Sequence, residues 1–416
     1  MNKKNGIGAE NGRTITSRGI SFPWVIVILS TALLMVVSMY NYTYGVFFKP
    51  IADEFGWSRA VVSGGYSVRC LVAAVSVVPM GYWADRYGPR RVLLPSLIFI
   101  GICMMAMAKV TAIWQLYLIQ GVGFGISTSG PFACITSTVA KWHDTKRGLA
   151  LGIAAAGIGL SSIIFPPMAT YLIQVVNWQF AIFILGVIIL VVGIPASFFM
   201  KDPPNEKGEQ PKDIPQGIVG AWSALPRFVK NRTFFAIVII FFLTNCVGYL
   251  LLNHFVNYAT DIGLTALAAA GMMSIMGVAS TIGRLGLGTF SDKIGAKKDA
   301  AICCLLIGLS FILLITKSTA LMWVAVMIFG VGFGGTVPLA PAIMGERVNN
   351  QQLSTATAAA SMGMFVGGAV GPWAGGIIFD RTGGYLWALL LGVGISIAAF
   401  IIVLCLPPIK TRLKSI

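Results

Sequence analysis

The sequence predicts an all-α membrane protein of twelve transmembrane helices in two pseudo-symmetric six-helix bundles. Three observations carry that expectation. Of 416 residues, 56% are hydrophobic and 11% charged, and mean hydropathy is +0.83. A soluble core does not need so apolar a chain. Apolar runs of about 20 residues recur, the length that crosses a hydrocarbon core of about 30 Å. The two halves also repeat each other's motifs, the mark of a duplicated bundle.

The apolar runs fall at roughly 23–47, 60–84, 91–109, 113–139, 149–174, 178–200, 233–258, 268–290, 299–316, 319–344, 353–378 and 384–407. Residues 1–22 are polar and Gly-rich and read as a cytoplasmic tail. The first apolar run has full spanning length, so it reads as a helix rather than a cleaved signal. Residues 201–232, rich in Pro, Gly and charge, read as a cytoplasmic linker between a bundle at 23–200 and one at 233–407. Residues 408–416 form a second cytoplasmic tail.

The net charge of +16 raises the question of nucleic acid, but topology accounts for it better. With the N-terminus inside, 23 of the 30 Lys and Arg fall in cytoplasmic segments. Only Lys49, Arg59, Lys109, Lys317 and Arg381 fall outside. That bias places both termini in the cytoplasm of a multi-pass protein of the cell (inner) membrane, with no nucleic-acid partner. The seven cysteines lie in apolar spans without a CxxC pair and read as small buried thiols. No metal constellation, phosphate loop or nucleophile–His–acid set is present, so the sequence predicts no enzyme, no metal and no cofactor.

Two arginines remain, Arg69 and Arg284, both inside apolar segments. All fourteen acids fall in tails, loops or helix ends. An intramembrane guanidinium costs about 3 kcal/mol on insertion scales. With no protein carboxylate to offset that, the natural partner is an anion arriving from outside. Arg284 lies eight residues before Asp292, so about 12 Å from the cytoplasmic boundary. That is too deep for easy snorkelling, and a guanidinium binds carboxylate by a bidentate fork. Arg69 lies about 24 Å from that boundary, where substrate contact, a gating role and snorkelling to the outer surface are all open. The two differ in expected depth by about 12 Å.

Other polar residues mark the expected cavity. Asn41 and Tyr44 share a helix face, as do Tyr40 and Tyr44. The seventh span carries Asn245, Tyr249, Asn253 and Asn257 at four-residue spacing, beside His254. Such a stripe faces protein or water rather than lipid, as substrate contact or as interhelical bonding. His254 is the ordinary titrating side chain available for proton coupling, against a plain hydrogen-bonded role near the outer mouth.

The halves repeat in detail. GVGFG occurs at 121–125 and 330–334, inside apolar helices where its glycines permit close packing. The string Gly81-Tyr-Trp-Ala-Asp85-Arg86-Tyr-Gly88-Pro-Arg90-Arg91 is echoed by Gly288-Thr-Phe-Ser-Asp292-Lys293-Ile-Gly295-Ala-Lys297-Lys298. Glycine here permits a tight turn, and Asp suits the positive end of a neighbouring helix. The fifth span is expected to break at Pro166-Pro167, and the eleventh has Gly371-Pro372 at a similar offset.

The doubled loop resembles the signature of the major facilitator superfamily, over about 25–407. The resemblance implies that Asp85 with Arg86, and Asp292 with Lys293, latch the cytoplasmic side when the cavity opens outward. Tyr44-Gly45-Val46-Phe47-Phe48-Lys49-Pro50, Lys146-Arg147-Gly148-Leu149-Ala150-Leu151-Gly152 and Gly283-Arg284 are similar to the monocarboxylate transporter family and its bacterial relatives. The last is also similar to the oxalate:formate antiporters. This resemblance implies transport of small organic anions, often with a proton, with Arg284 on the carboxylate and Lys49 capturing anions from outside. Two departures matter. An acid that many animal members carry one turn before the arginine is Ser280 here. The second base of the oxalate antiporters has no counterpart in 353–378.

The function implied is a proton-linked carrier of a lactate- or pyruvate-like monocarboxylate, working by alternating access as a monomeric unit. The alternatives are an organic-anion exchanger and a drug:proton exporter, the latter resting on GGAVGPWAGG at 367–376.

Overall fold

The computed structural model describes residues 21–143, 147–201, 203, 232–347 and 353–406. The tails, most of the 201–232 linker and 348–352 lie outside the described residues. Among the described residues, twelve helices are long and apolar enough to cross a membrane. In chain order they are α1 Phe22–Phe55, α2 Arg59–Tyr87, α3 Pro89–Met107, α4 Ile113–Trp142, α5 Arg147–Val175 and α6 Trp178–Phe199. After the linker come α7 Arg232–Asp261, α8 Ala266–Ile294, α9 Ala296–Ile315, α10 Thr319–Arg347, α11 Leu353–Thr382 and α12 Leu386–Cys405. An even number of crossings puts both ends of the bundle on one face; the opposite one is called the far face below.

The halves pack alike. In the first, α1 lies on α5, α2 on α4 and α3 on α6; in the second, α7 lies on α11, α8 on α10 and α9 on α12. Between the halves, α2 meets α11, α5 meets α8 and α1 meets α7. Large apolar side chains such as Val191, Ile312 and Ile401 stay exposed, the surface that lipid tails would cover.

Glycine makes the close contacts possible, as membrane helices require when no hydrophobic effect drives them together. A Cβ on Gly157 of α5 would lie 2.1 Å from the Thr31 carbonyl oxygen of α1. One on Gly367 of α11 would lie 2.1 Å from the Phe242 carbonyl oxygen of α7. The two signature-loop glycines, Gly88 and Gly295, take φ +84° and +87°, so the doubled motif makes the same left-handed turn twice.

Two expectations need correction. The fifth span does not break at Pro166-Pro167; α5 runs through both to Val175. Pro167 has no N–H to bond the Ile163 carbonyl, and Ser274 Oγ of α8 donates to that oxygen instead, at 3.0 Å. Not every cysteine is buried: six are, but Cys405 is exposed where α12 ends. The fourth span is also irregular. It includes a π-helical stretch at Tyr117–Gly123 that enters the GVGFG motif.

Gly283 and Gly286 form a paired check on this packing. A Cβ at Gly283 would lie 2.2 Å from the Val331 carbonyl oxygen, whereas one at Gly286 meets nothing within 4 Å. Gly283→Ala should cost about 1–3 kcal/mol by overpacking. Gly286→Ala should be neutral or add up to about 1 kcal/mol of helix propensity. Thermal melts in detergent check both; equal melting temperatures would contradict the close α8–α10 contact.

Candidate functional site

The two GVGFG copies position the two arginines. On α4, a Cβ at Gly121 would meet Val68 at 2.7 Å, and one at Gly125 would meet Val72 at 2.6 Å and the Arg69 carbonyl oxygen at 2.9 Å. On α10, a Cβ at Gly330 would meet the Met276 carbonyl oxygen at 2.4 Å, and one at Gly334 the Ser280 carbonyl oxygen at 2.1 Å. Each glycine strip therefore presses against the arginine-bearing helix of its half, beside or just before the arginine. Ser280, which stands where the resemblance has an acid, is buried in that α8–α10 contact.

Arg69 does not snorkel. It is 6% exposed. Its guanidinium carbon lies 5.2 Å from the Tyr40 ring centre and 5.0 Å from that of Tyr66. Nη2 donates to Thr128 Oγ1 of α4 at 3.4 Å, and Nη1 is buried without a partner. Two desolvated cation–π contacts of up to about 2 kcal/mol each offset much of the insertion cost.

Arg284 is less well provided for. It is half-buried, and Nη2 donates to Tyr42 Oη of α1 at 3.4 Å. Among the described residues, Nε and Nη1 are buried without a partner. One long hydrogen bond to a neutral hydroxyl leaves most of the insertion cost standing, so Arg284 is the more anion-hungry of the two. It reaches across from the second half to the first.

The sequence-based separation in depth is not how the side chains meet. Arg69 faces the ring of Tyr40 and Arg284 the hydroxyl of Tyr42, two residues apart on α1. Tyr249 of α7 lies within electrostatic reach of both guanidiniums, and its ring is 5.9 Å from that of Tyr66. Both arginines thus border one tyrosine-rich region between the halves. Tyr42, Tyr66 and Thr128 escaped sequence reasoning. Tyr42 lies off the Tyr40–Tyr44 face, and which face mattered depended on the partner helices.

The remaining sequence candidates divide. Asn41 accepts from Tyr66 Oη at 3.2 Å, and Tyr44 donates to the Val62 carbonyl at 2.7 Å, so both brace the α1–α2 contact. Tyr40 and Tyr44 do share a face, their rings 5.8 Å apart. Asn245 and Asn253 donate to carbonyls of their own helix, Phe241 at 2.9 Å and Tyr249 at 2.7 Å. The side chains of Asp85, Arg86, Asp292 and Lys293 lie outside those described.

His254 and Lys49 belong to a different structure, a clamp at the far face. Lys49 Nζ pairs with Asp261 Oδ1 at 3.1 Å, and Arg59 Nη1 with Asp261 Oδ2 at 2.7 Å. Asp380 of α11 accepts from the Arg59 and Ala60 amides at 3.0 and 2.8 Å, satisfying the first turn of α2. Arg59 also lies 3.6 Å above the Phe379 ring and donates to Tyr385 Oη at 2.7 Å. Tyr385 Oη is 3.0 Å from His254 Nδ1, and His254 Nε2 is 2.8 Å from the Pro372 carbonyl. That carbonyl can only accept, so Nε2 carries the proton and a neutral ring satisfies both contacts.

Comparison with known proteins agrees with this architecture. The family model described as Major Facilitator Superfamily matches residues 30–316 and 285–415. The chain is 27% identical to the oxalate:formate antiporter of Oxalobacter formigenes over 287 residues, 67% of this chain and 66% of that protein. It is 22% identical to monocarboxylate transporter 13 of Rattus norvegicus over 391 residues, 92% of this chain and 89% of that one. Among solved structures, the nucleoside transporter NupG superposes with a TM-score of 0.76 at 14% identity, covering 93% of this chain and all of that one. A bacterial homologue of the human lysosomal transporter Spinster, inward-facing and occupied, gives 0.71 at 14% identity, covering 93% and 96%. Its twelve spans and the family match make this chain a membrane transporter, not an enzyme, and it belongs to the major facilitator superfamily.

Proposed function

We propose that the chain carries small organic anions by alternating access and that Arg284 binds the substrate carboxylate. The observation that carries this reading is the pair of buried, unpartnered Arg284 nitrogens, Nε and Nη1, between the two halves. The two fork edges of a guanidinium are Nε with Nη2 and Nη1 with Nη2, so each idle N–H shares an edge with the Nη2 that is held only by the long Tyr42 bond, and a bidentate carboxylate can take either edge. Arg69 supplies a second positive charge nearby, partly settled by its tyrosines. The similarity to an oxalate:formate antiporter and to a monocarboxylate transporter points to the same class of cargo.

In its simplest form the cargo is a lactate- or pyruvate-like monocarboxylate that crosses with a proton. Lys49 lines a cleft of about 220 Å³ at the far face with Asp53, Gln174 and Asn257. It can receive an incoming carboxylate once Asp261 releases it.

Anion exchange is the second reading, and one observation favours it. His254, the one candidate proton carrier the sequence offers in a span, has both ring nitrogens engaged in the far-face clamp. A cationic drug is a poor cargo for a region bordered by two guanidiniums.

Organic acids should stabilise the purified protein by mass action. At 100-fold excess over Kd the gain is about 2.7 kcal/mol. Melting curves with a carboxylate panel should show that gain in the parent and lose it in Arg284→Gln. Equal stabilisation of both proteins, or none by any carboxylate, removes the proposal.

A pH gradient separates the two couplings. Symport predicts faster uptake into empty proteoliposomes when the outside is acidic; strict exchange predicts none until an anion is loaded inside. His254→Gln should leave whichever response is seen in place, because its ring is a structural link; loss of an acid-driven response in that variant would return His254 to the proton pathway.

A further inference from the structure

The transport reading leaves the far-face clamp unused, although it is the densest set of polar contacts between the halves among the described residues. Four acceptor contacts and one stacking contact converge on residues 59 and 60. Asp261 and Tyr385 take the Arg59 side chain, Asp380 takes the Arg59 and Ala60 amides, and Phe379 lies beneath the guanidinium. The donors belong to α2 of the first half, the acceptors and the ring to the second. Lys49 of α1 adds a further tie to the same Asp261 carboxylate.

This arrangement differs from the charge pairs that only stiffen a bundle. Glu54 at the same face accepts from Trp178 and Gln179, all within the first half. Asp261 and Asp380 instead join surfaces that an alternating-access carrier must part. Beneath them the backbones are nearly in contact. A Cβ on Gly376 would lie 2.8 Å from Ala60 Cα and 2.5 Å from Ser63 Oγ, and Ser67 Oγ donates to the Ala369 carbonyl at 2.6 Å. Ser63 is fully buried there. No solute passes between α2 and α11 while these contacts stand.

We propose that Arg59 is the hub of the far-face gate, and that Asp261 and Asp380 are the two carboxylates that must leave it for the carrier to open on that face. The charge bias makes that face the outer one. Each carboxylate has a separate function. Asp261 of the second half pairs with two cations of the first, Lys49 and Arg59, and so ties α7 to both α1 and α2. Asp380 seats the positive end of α2 against the end of α11. The latch expected at Asp85 is a carboxylate near the cytoplasmic end of α2. Asp380 stands near the opposite end of the antiparallel partner, α11. The Asp85 and Asp380 positions thus stand at opposite ends of the packed pair α2 and α11. It makes no assumption about cargo, so it stands or falls independently of the carboxylate reading.

A buried reporter thiol tests it. Ser63→Cys is made in a protein whose exposed native thiol is removed by Cys405→Ser, and maleimide labelling is timed on the monodisperse fraction in detergent, with the Cys405→Ser protein alone as background. Asp261→Asn and Asp380→Asn should each label about tenfold faster, the effect of losing about 1.4 kcal/mol of closure. Gly376→Val, which wedges α2 from α11 without touching a charge, should also label faster and shows that the reporter reads this opening. Unchanged labelling in both Asp variants overturns the proposal, whatever the wedge does. Faster labelling of only one assigns the gate to that carboxylate and overturns the two-carboxylate form.

Discussion

Hydrocarbon does not solvate a guanidinium, and the interior of this protein is organised around two of them. Each must be enclosed by protein, and each is enclosed differently. Arg69 is settled by aromatic faces and one hydroxyl, which keeps it buried without a counter-charge. Arg284 has a single tyrosine hydroxyl and two idle nitrogens. The proposed roles rest on that difference. A cation already surrounded by rings shapes the local field, whereas one left half-served is available for an anion.

The close packing of the helices supports that arrangement. A glycine strip on α4 and another on α10 let α2 and α8 be held at backbone distance, with side-chain freedom removed next to each arginine. An arginine on a loosely packed helix could retreat toward the surface along its flexible stem. Held close by backbone, both arginines reach α1 instead, Arg69 at the Tyr40 ring and Arg284 at the Tyr42 hydroxyl. The repeat therefore does more than double the helix count: it places a cation on the same helix of each half, at the surface where the halves meet.

The far face shows how the two halves are joined without making the joint permanent. Its ties are hydrogen bonds and ion pairs of partly exposed groups, worth little individually and replaceable by water. Such contacts suit a surface that must part repeatedly, where a large apolar seam would not. His254 belongs to this face as well. It is a histidine in a membrane span, yet its neighbours use it as a neutral spacer between Tyr385 and the carbonyl of Pro372.

Apolar run length, the bias of Lys and Arg, and the doubled motifs were enough to establish twelve helices in two related bundles and to single out Arg69 and Arg284. Those features follow from solvation, which acts on the chain segment by segment and is readable in one dimension. The turn glycines Gly88 and Gly295 belong to the same class, because left-handed backbone is a local demand. Helix continuity at Pro166-Pro167 was not readable, since the donor that rescues the Ile163 carbonyl is Ser274, 111 residues away. Nor was the meeting of both arginines at one stretch of α1, which depends on how α2 and α8 lean and how far two long side chains extend. The clamp of Arg59, Asp261, Asp380 and Tyr385 was invisible for the same reason. Each looks like an ordinary helix-end residue, and only the approach of α2 to α11 makes them partners. Solvation could be read along the chain; which residues touch was decided by packing in three dimensions.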